Sequence, residues 1–158
     1  MINLQPITWD NWDAVSKLSV EESQKKYIAS NEVSLMQAYV FWTEESRPPM
    51  AFAIYNGEEL VGFTMFVFYD ESDYQNDDQP FYHLWRFMID KEHQGKGYGK
   101  AAMVKVLEYL KTMPQGKAPS IYLSYDRDNH VARKLYASLG FVETGEIKYD
   151  ETVARLLI

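Results

Sequence analysis

The stretch Phe87-Met88-Ile89-Asp90-Lys91-Glu92-His93-Gln94-Gly95-Lys96-Gly97-Tyr98-Gly99-Lys100 sets three glycines between an apolar run and a helical pattern. Phe81 to Ile89 reads as a strand. Met103, Val106, Leu107 and Leu110 keep helical spacing, in a helix that stops before Pro114. A glycine-rich connection of this kind lets the backbone approach a ligand closely. Without Cβ atoms, successive N–H groups can point into one concavity, and the helix that follows adds its positive N-terminal end. The loop is either a cradle for a phosphate or pyrophosphate, or a turn that permits tight strand–helix packing. Two familiar phosphate loops do not fit. G-x-G-x-x-G fails because position 100 is Lys, and G-x-x-x-x-G-K-[ST] fails because Ala101 supplies no hydroxyl.

Toward the C-terminus, Ile121 to Ser124 is another strand. A helix from about Asn129 carries Ala132, Leu135, Tyr136 and Leu139 on its apolar face, with Gly140 as its stop. Phe141 to Ile147 and Thr152 to Ile158 suit a closing hairpin. Toward the N-terminus, an apolar segment around Ile2 to Ile7 precedes a helix through Trp12, Val15 and Leu18, capped by Thr8 or Asp10. A second helix runs from Ser34 through Leu35, Ala38 and Trp42 and ends before Pro48-Pro49. Met50 to Tyr55 and Leu60 to Tyr69 are strand-formers joined by Asn56-Gly57-Glu58-Glu59, a hairpin signal. Asp70 to Pro80 holds Asp70, Glu71, Asp73, Asp77 and Asp78 and no base, as a solvated hairpin loop or a cation-attracting rim. The order predicts an α/β fold with a mixed sheet and flanking helices, in a single domain over residues 1–158.

The 158 residues are 46% hydrophobic, 25% charged and 15% aromatic, which argues against a disordered or fibrous chain. Sixteen Lys and Arg stand against 23 Asp and Glu, and the net charge of −7 repels a phosphate backbone, so no nucleic-acid partner is expected. The absence of Cys removes disulfides, thiolate metal sites and cysteine nucleophiles together. His83, His93 and His130 show no metal-ligand spacing, and no metal is expected. The longest apolar stretch, Leu60 to Tyr69, is far shorter than the ~20 residues of a spanning helix, and Met1 to Asp10 lacks the parts of a secretory signal. The expectation is a soluble, cytoplasmic protein without a membrane partner.

The glycine stretch does fit Q-x-x-G-x-G/A, read as Gln94-Gly95-Lys96-Gly97-Tyr98-Gly99. A second block, Asn129-His130-Val131-Ala132-Arg133-Lys134-Leu135-Tyr136 followed by Gly140-Phe141, matches N-x-x-A-x-x-x-Y and G-F at the proper separation. Together the blocks resemble the GNAT superfamily of N-acetyltransferases, whose first block is a coenzyme A pyrophosphate loop. Within it, Arg86 to Asp90, Tyr27-Ile28 and Gly140-Phe141 through Gly145-Glu146 are most similar to bacterial spermine/spermidine acetyltransferases.

The resemblance implies a central, mostly antiparallel sheet with one splayed parallel strand pair. It implies acetyl-CoA as acetyl donor and a small-molecule amine, a polyamine above all, as acceptor, attacking directly in a ternary complex. The alternatives are another small amine, a protein N-terminus, or a non-catalytic acyl-CoA-binding module. Phe87, Met88 and Ile89 then offer main-chain hydrogen bonds to the pantetheine arm, although their side chains alone read as core. Gln94, Gly95, Lys96, Gly97, Tyr98, Gly99 and Lys100 hold the pyrophosphate. Asn129 and Ala132 meet the arm, with Asn129 also suited to cap its helix. Arg133 and Lys134 reach the adenosine phosphates or remain exposed helix charge. Tyr136 is either a packed phenol or the general acid that protonates the leaving thiolate, a role its ordinary pKa near 10 allows. Some polyamine acetyltransferases carry a carboxylate just before the pair matched by Arg86-Phe87, where this chain has Trp85. Glu21, Glu22 and Glu146 stand as replacements for charge recognition, with water as a proton relay, and His83 as a strand histidine more suited to structure. Similar proteins are often dimers, so a homodimer is part of what the resemblance implies.

Overall fold

The computed structural model describes residues 1–70 and 79–158. Of the acidic run, Glu71, Asp73, Asp77 and Asp78 lie outside the described residues, while Asp70 stands 3.7 Å from the Arg47 guanidinium. One seven-stranded sheet runs in the order β1-β2-β3-β4-β5-β7-β6. Its strands are β1 (Ile2–Pro6), β2 (Met50–Asn56), β3 (Glu59–Tyr69), β4 (Phe81–Ile89), β5 (Ser120–Asp126), β6 (Val142–Lys148) and β7 (Glu151–Leu157). The helices are α1 (Trp12–Lys17), α2 (Asn31–Glu45), α3 (Tyr98–Leu110) and α4 (His130–Ser138). All neighbouring strands are antiparallel except β4 and β5, which is the mixed α/β sheet with flanking helices that the element order predicts.

The two faces are filled differently. Tyr82, Leu84, Ile121, Leu123 and Tyr125 point to one face and pack with Met103, Val106, Leu107 and Leu110 of α3 and Tyr136 of α4. On the other face Phe63, Met65 and Met88 pack with Val15 of α1, and Trp85 joins them beside Leu35 and Ala38 of α2. Because strand side chains alternate, His83 of β4 and Tyr122 and Ser124 of β5 belong to this α1/α2 face.

The feature that makes the site is the short contact between β4 and β5. Only Phe81, Tyr82 and His83 pair with Ser120, Ile121 and Tyr122, and beyond them the strands separate. The cause lies on the far side of β4. Leu84 pairs with Phe66 and Arg86 with Met65, so Trp85 is an extra residue opposite the β3 ladder. Such a bulge bends a strand and increases its twist, and this one sits at the residue where β4 leaves β5. Gly62 of β3 supports the same stretch, for a Cβ there would run into the Met88 carbonyl.

Some element ends differ from their sequence signals. α1 has Asn11 at its N-cap rather than Thr8 or Asp10, and the Asn11 side chain serves the preceding turn, accepting from Thr8 N (2.8 Å) and donating to Pro6 O (3.0 Å). α2 begins three residues before Ser34, because the Ser30 hydroxyl caps it by accepting from Val33 N at 3.2 Å. The β6–β7 hairpin turns on Tyr149 (φ 51°) and Asp150 (φ 65°), two left-handed residues in succession, which is the geometry of a tight primed turn.

Candidate active site

Where β4 and β5 part, a cleft of about 760 Å³ passes through the sheet. One end is walled by the glycine loop. Asp90 closes β4 and organises that loop: its carboxylate accepts from Ser19 N (2.8 Å) and Glu92 N (3.1 Å), and its own N–H donates to Val61 O (2.9 Å). The Gln94 amide donates to Ile89 O (3.0 Å) and to the Gln24 side chain (2.9 Å), tying the segment between α1 and α2 to the loop. Gly95 (φ 74°) and Gly97 (φ 80°) are left-handed, and a Cβ at either would meet no atom within 4 Å. The loop therefore leaves space where side chains would otherwise stand. The first turn of α3, with N–H groups that have no carbonyl four residues back, begins directly after Gly97. Backbone donors, a helix N-terminus and free volume together suit a pyrophosphate.

The middle of the cleft is the throat of the splay. Phe87, Met88 and Ile89 line it, and their backbone has no strand partner on the β5 side. Asn129 and Ala132 line it from α4. The Asn129 carbonyl oxygen caps α4 by accepting from Ala132 N at 3.2 Å, which leaves its amide nitrogen free to donate. Tyr136 stands in the same wall, buried among Tyr125 and Phe141, with ring centroids 5.8 Å away in each case. Burial first, and then the neighbouring Tyr125, push the Tyr136 phenol above its ordinary pKa, so it keeps its proton at neutral pH. No group among the described residues hydrogen-bonds its hydroxyl.

Behind Tyr136 lies a short chain of polar contacts. Tyr125 donates to Glu143 (2.8 Å), and burial together with that carboxylate pushes the Tyr125 phenol up to about 12. Glu143 is gripped by Arg133 through Nε at 2.7 Å and Nη2 at 3.1 Å. Arg133 is therefore occupied at the α4–β6 seam and does not line the cleft; Lys134 is exposed and also outside the lining. Lys96 and Lys100 are exposed at the loop, Gly97 turns the chain into α3, and Tyr98 packs inward with its hydroxyl accepting from Asn56 at 3.1 Å.

The three candidate recognition carboxylates stand apart from the cleft lining. Glu22 is exposed and paired with Lys25 at 2.6 Å, which holds its carboxyl below the usual range. Glu21 opens the turn at Glu22–Gln24, with its N–H on the Gln24 side chain. Glu146 lies on β6, exposed throughout its length, beside Lys148 at 3.4 Å. The carboxylate that does line the cleft is Glu151, which accepts a hydrogen bond from the Ser124 hydroxyl. His83, Arg86, Lys25, Lys26 and Tyr27 line it as well, and Tyr27 reaches across to donate to Asp128 O at 3.3 Å. His83 is neutral at neutral pH: burial, then the charges of Arg86 and Lys148, pull its pKa from 6.5 to about 4. Its sequence offered only a lone histidine on a strand; its place at the last β4–β5 pair makes it part of the cleft.

The parallel pair parts at a bulge beside the glycine loop, with Tyr136 in the wall of the cleft between the strands, and residues 12–141 match the acetyltransferase (GNAT) family. The chain belongs to that family and is an acetyl-CoA-dependent N-acetyltransferase. Its relatives include the spermine/spermidine N(1)-acetyltransferase of Bacillus subtilis (strain 168), 34% identical over 149 residues, 94% of this chain and 93% of that one. The fold is shared with the PaiA N-acetyltransferase of Thermoplasma acidophilum, solved in complex with coenzyme A (TM-score 0.71, 14% identity, 100% of this chain and 99% of that one). It is shared also with the spermidine N-acetyltransferase of Vibrio cholerae, solved with CoA and spermine (TM-score 0.69, 21% identity, 99% and 94%).

Proposed function

We propose that this protein acetylates a primary amine of a polyamine such as spermine or spermidine, by direct attack in a ternary complex, with Tyr136 as general acid. The observation that carries the mechanism is the place of Tyr136: it lines the throat between the separated strands, and its hydroxyl has no hydrogen-bond partner among the described residues; burial, which raises its pKa, keeps it protonated. The acceptor class is supported by the likeness to the Bacillus subtilis enzyme over nearly the whole chain.

Acetyl-CoA supplies an activated acetyl thioester. The chain's part is to hold it. Gly95, Gly97 and the α3 N-terminus offer N–H groups to the pyrophosphate, and the side of Phe87 to Ile89 that faces away from β3, where β5 does not pair, accepts the pantetheine arm as a sheet edge accepts a strand. A backbone N–H in that edge also serves the oxygen on which negative charge develops. The amine enters from the α1/α2 face, past His83 and Ser124, and forms its bond to the acetyl carbon as the bond from that carbon to sulfur breaks; the departing sulfur takes the Tyr136 proton, and the proton the amine sheds returns through water to the phenol.

A second acceptor class, a peptide N-terminus, is favoured by the cations Lys25, Lys26 and Arg86 in the same lining. A panel of spermine, spermidine, diamines, aminoglycosides and peptides with acetyl-CoA, followed by thiol release, separates the two. The polyamines should give the highest kcat/KM. Peptides ahead of every polyamine would overturn the proposed acceptor.

A further inference from the structure

The acceptor side of the cleft is polarised across its width. On the β4 wall stand His83, which is neutral, and Arg86, whose guanidinium donates to Ser34 Oγ (3.1 Å), Gln37 Oε1 (2.6 Å) and Trp85 O (2.9 Å). None of these partners is a carboxylate, so the positive charge of Arg86 is not cancelled locally. On the opposite wall is Glu151. The β5–β7 register pairs Asp126 with Glu151 and Ser124 with Val153, so Ser124 and Glu151 lie diagonally on one sheet face, and the Ser124 hydroxyl fixes the carboxylate. Among the described residues that line the cleft, Glu151 is the one carboxylate. Its charge is felt at Arg86 without direct contact.

This separation sorts amines by what each nitrogen must do. A nitrogen that is to attack has to shed its proton, and a neighbouring cation favours the neutral amine whereas a neighbouring carboxylate favours the ammonium. The Arg86 and His83 wall therefore suits the reacting nitrogen, and the Glu151 wall suits one that stays charged. Lys25 and Lys26 do not compete for Glu151, since Lys25 is paired with Glu22 and Lys26 lies over the Tyr27 ring at 4.9 Å.

We propose that Glu151, held by Ser124, anchors a second, non-reacting ammonium of the acceptor and so selects diamines and polyamines over monoamines. The proposal rests on the amine-acetylation reading above and adds to it a residue and a rule of selectivity.

The test compares 1,4-diaminobutane with n-butylamine, which share a four-carbon chain and differ by one terminal ammonium, at saturating acetyl-CoA. A charge-assisted hydrogen bond is worth about a 10- to 100-fold change in affinity, so the wild-type KM should be lower for the diamine by that factor. E151Q keeps the shape and removes the charge. It should raise the diamine KM about tenfold or more while leaving that of n-butylamine within about twofold. A residue that only supports the fold would move both alike. S124A, which frees the carboxylate, should give a smaller rise confined to the diamine, and it carries the same comparison if E151Q does not fold. Equal shifts for both amines, no shift for either, or a wild-type enzyme with equal KM values overturns the anchor and leaves amine acetylation standing. Wild-type protein that binds acetyl-CoA but releases no thiol with either amine, or with any other polyamine, overturns the proposed function and the anchor together.

Discussion

His83 should make the fold acid-labile, by an amount the structure sets. In the unfolded chain the imidazole titrates near 6.5; in the folded protein burial, Arg86 and Lys148 hold it near 4. Between those values the unfolded chain takes up a proton that the native state refuses. The contribution of a neutral His83 is therefore whole above pH 6.5, is lost as the pH falls toward 4, and changes no further below that. A gap of this size corresponds to about 3 kcal/mol in full, and to about 2 kcal/mol by pH 5. Urea unfolding of wild type and H83Q at pH 7.5, 6.5, 5.5 and 5.0 isolates this share, because the carboxylates titrate alike in both. Whatever offset the substitution introduces at pH 7.5, the wild-type curve should fall below its starting value by about 2 kcal/mol more than that of H83Q at pH 5. Parallel curves would refute the buried, neutral imidazole.

Two further substitutions probe the cofactor end. G97V places a β-branched residue at φ 80° and fills space that is otherwise open, so it should cost about 1–2 kcal/mol of stability and lower acetyl-CoA affinity at least about tenfold; calorimetry on a folded variant with unchanged affinity would show that the loop is not the pyrophosphate site. D90A removes the acceptor for Ser19 N and Glu92 N, and leaving such donors unsatisfied should lower stability by about 1–3 kcal/mol in denaturant unfolding, whereas a change below about 0.5 kcal/mol would mean that water replaces the carboxylate.

Much of the architecture is written in local patterns. The Asn56-Gly57 turn, the glycine loop before α3 and the apolar faces of α3 and α4 depend on neighbours within a few residues, and the sequence carries them openly. Helix starts are marked less openly: Ser30 caps α2 through Val33 N, a contact with no Glu or Gln three residues on to advertise it. The bulge at Trp85 is invisible in the chain, since it exists only as a mismatch with Phe66 and Met65 of β3. The same limit governs the charges. Glu146 and Glu151 stand five residues apart in one hairpin and look alike, yet the β5–β7 register carries Glu151 to Ser124 and leaves Glu146 on an exposed edge. Arg133 reads as a free helix cation until β6 brings Glu143 beneath it. Residues whose role depends on which strand lies alongside are the ones that require the fold.

The most direct measurement is the turnover of Y136F with acetyl-CoA and spermidine. The substitution removes one hydroxyl and leaves the ring against Tyr125 and Phe141, so acetyl-CoA affinity and unfolding should match wild type. The proposed general-acid role is worth about 10²–10⁴-fold, so kcat should fall by that factor with little change in the KM for spermidine. Wild-type kcat in a folded Y136F would contradict the assignment of Tyr136 as the acid.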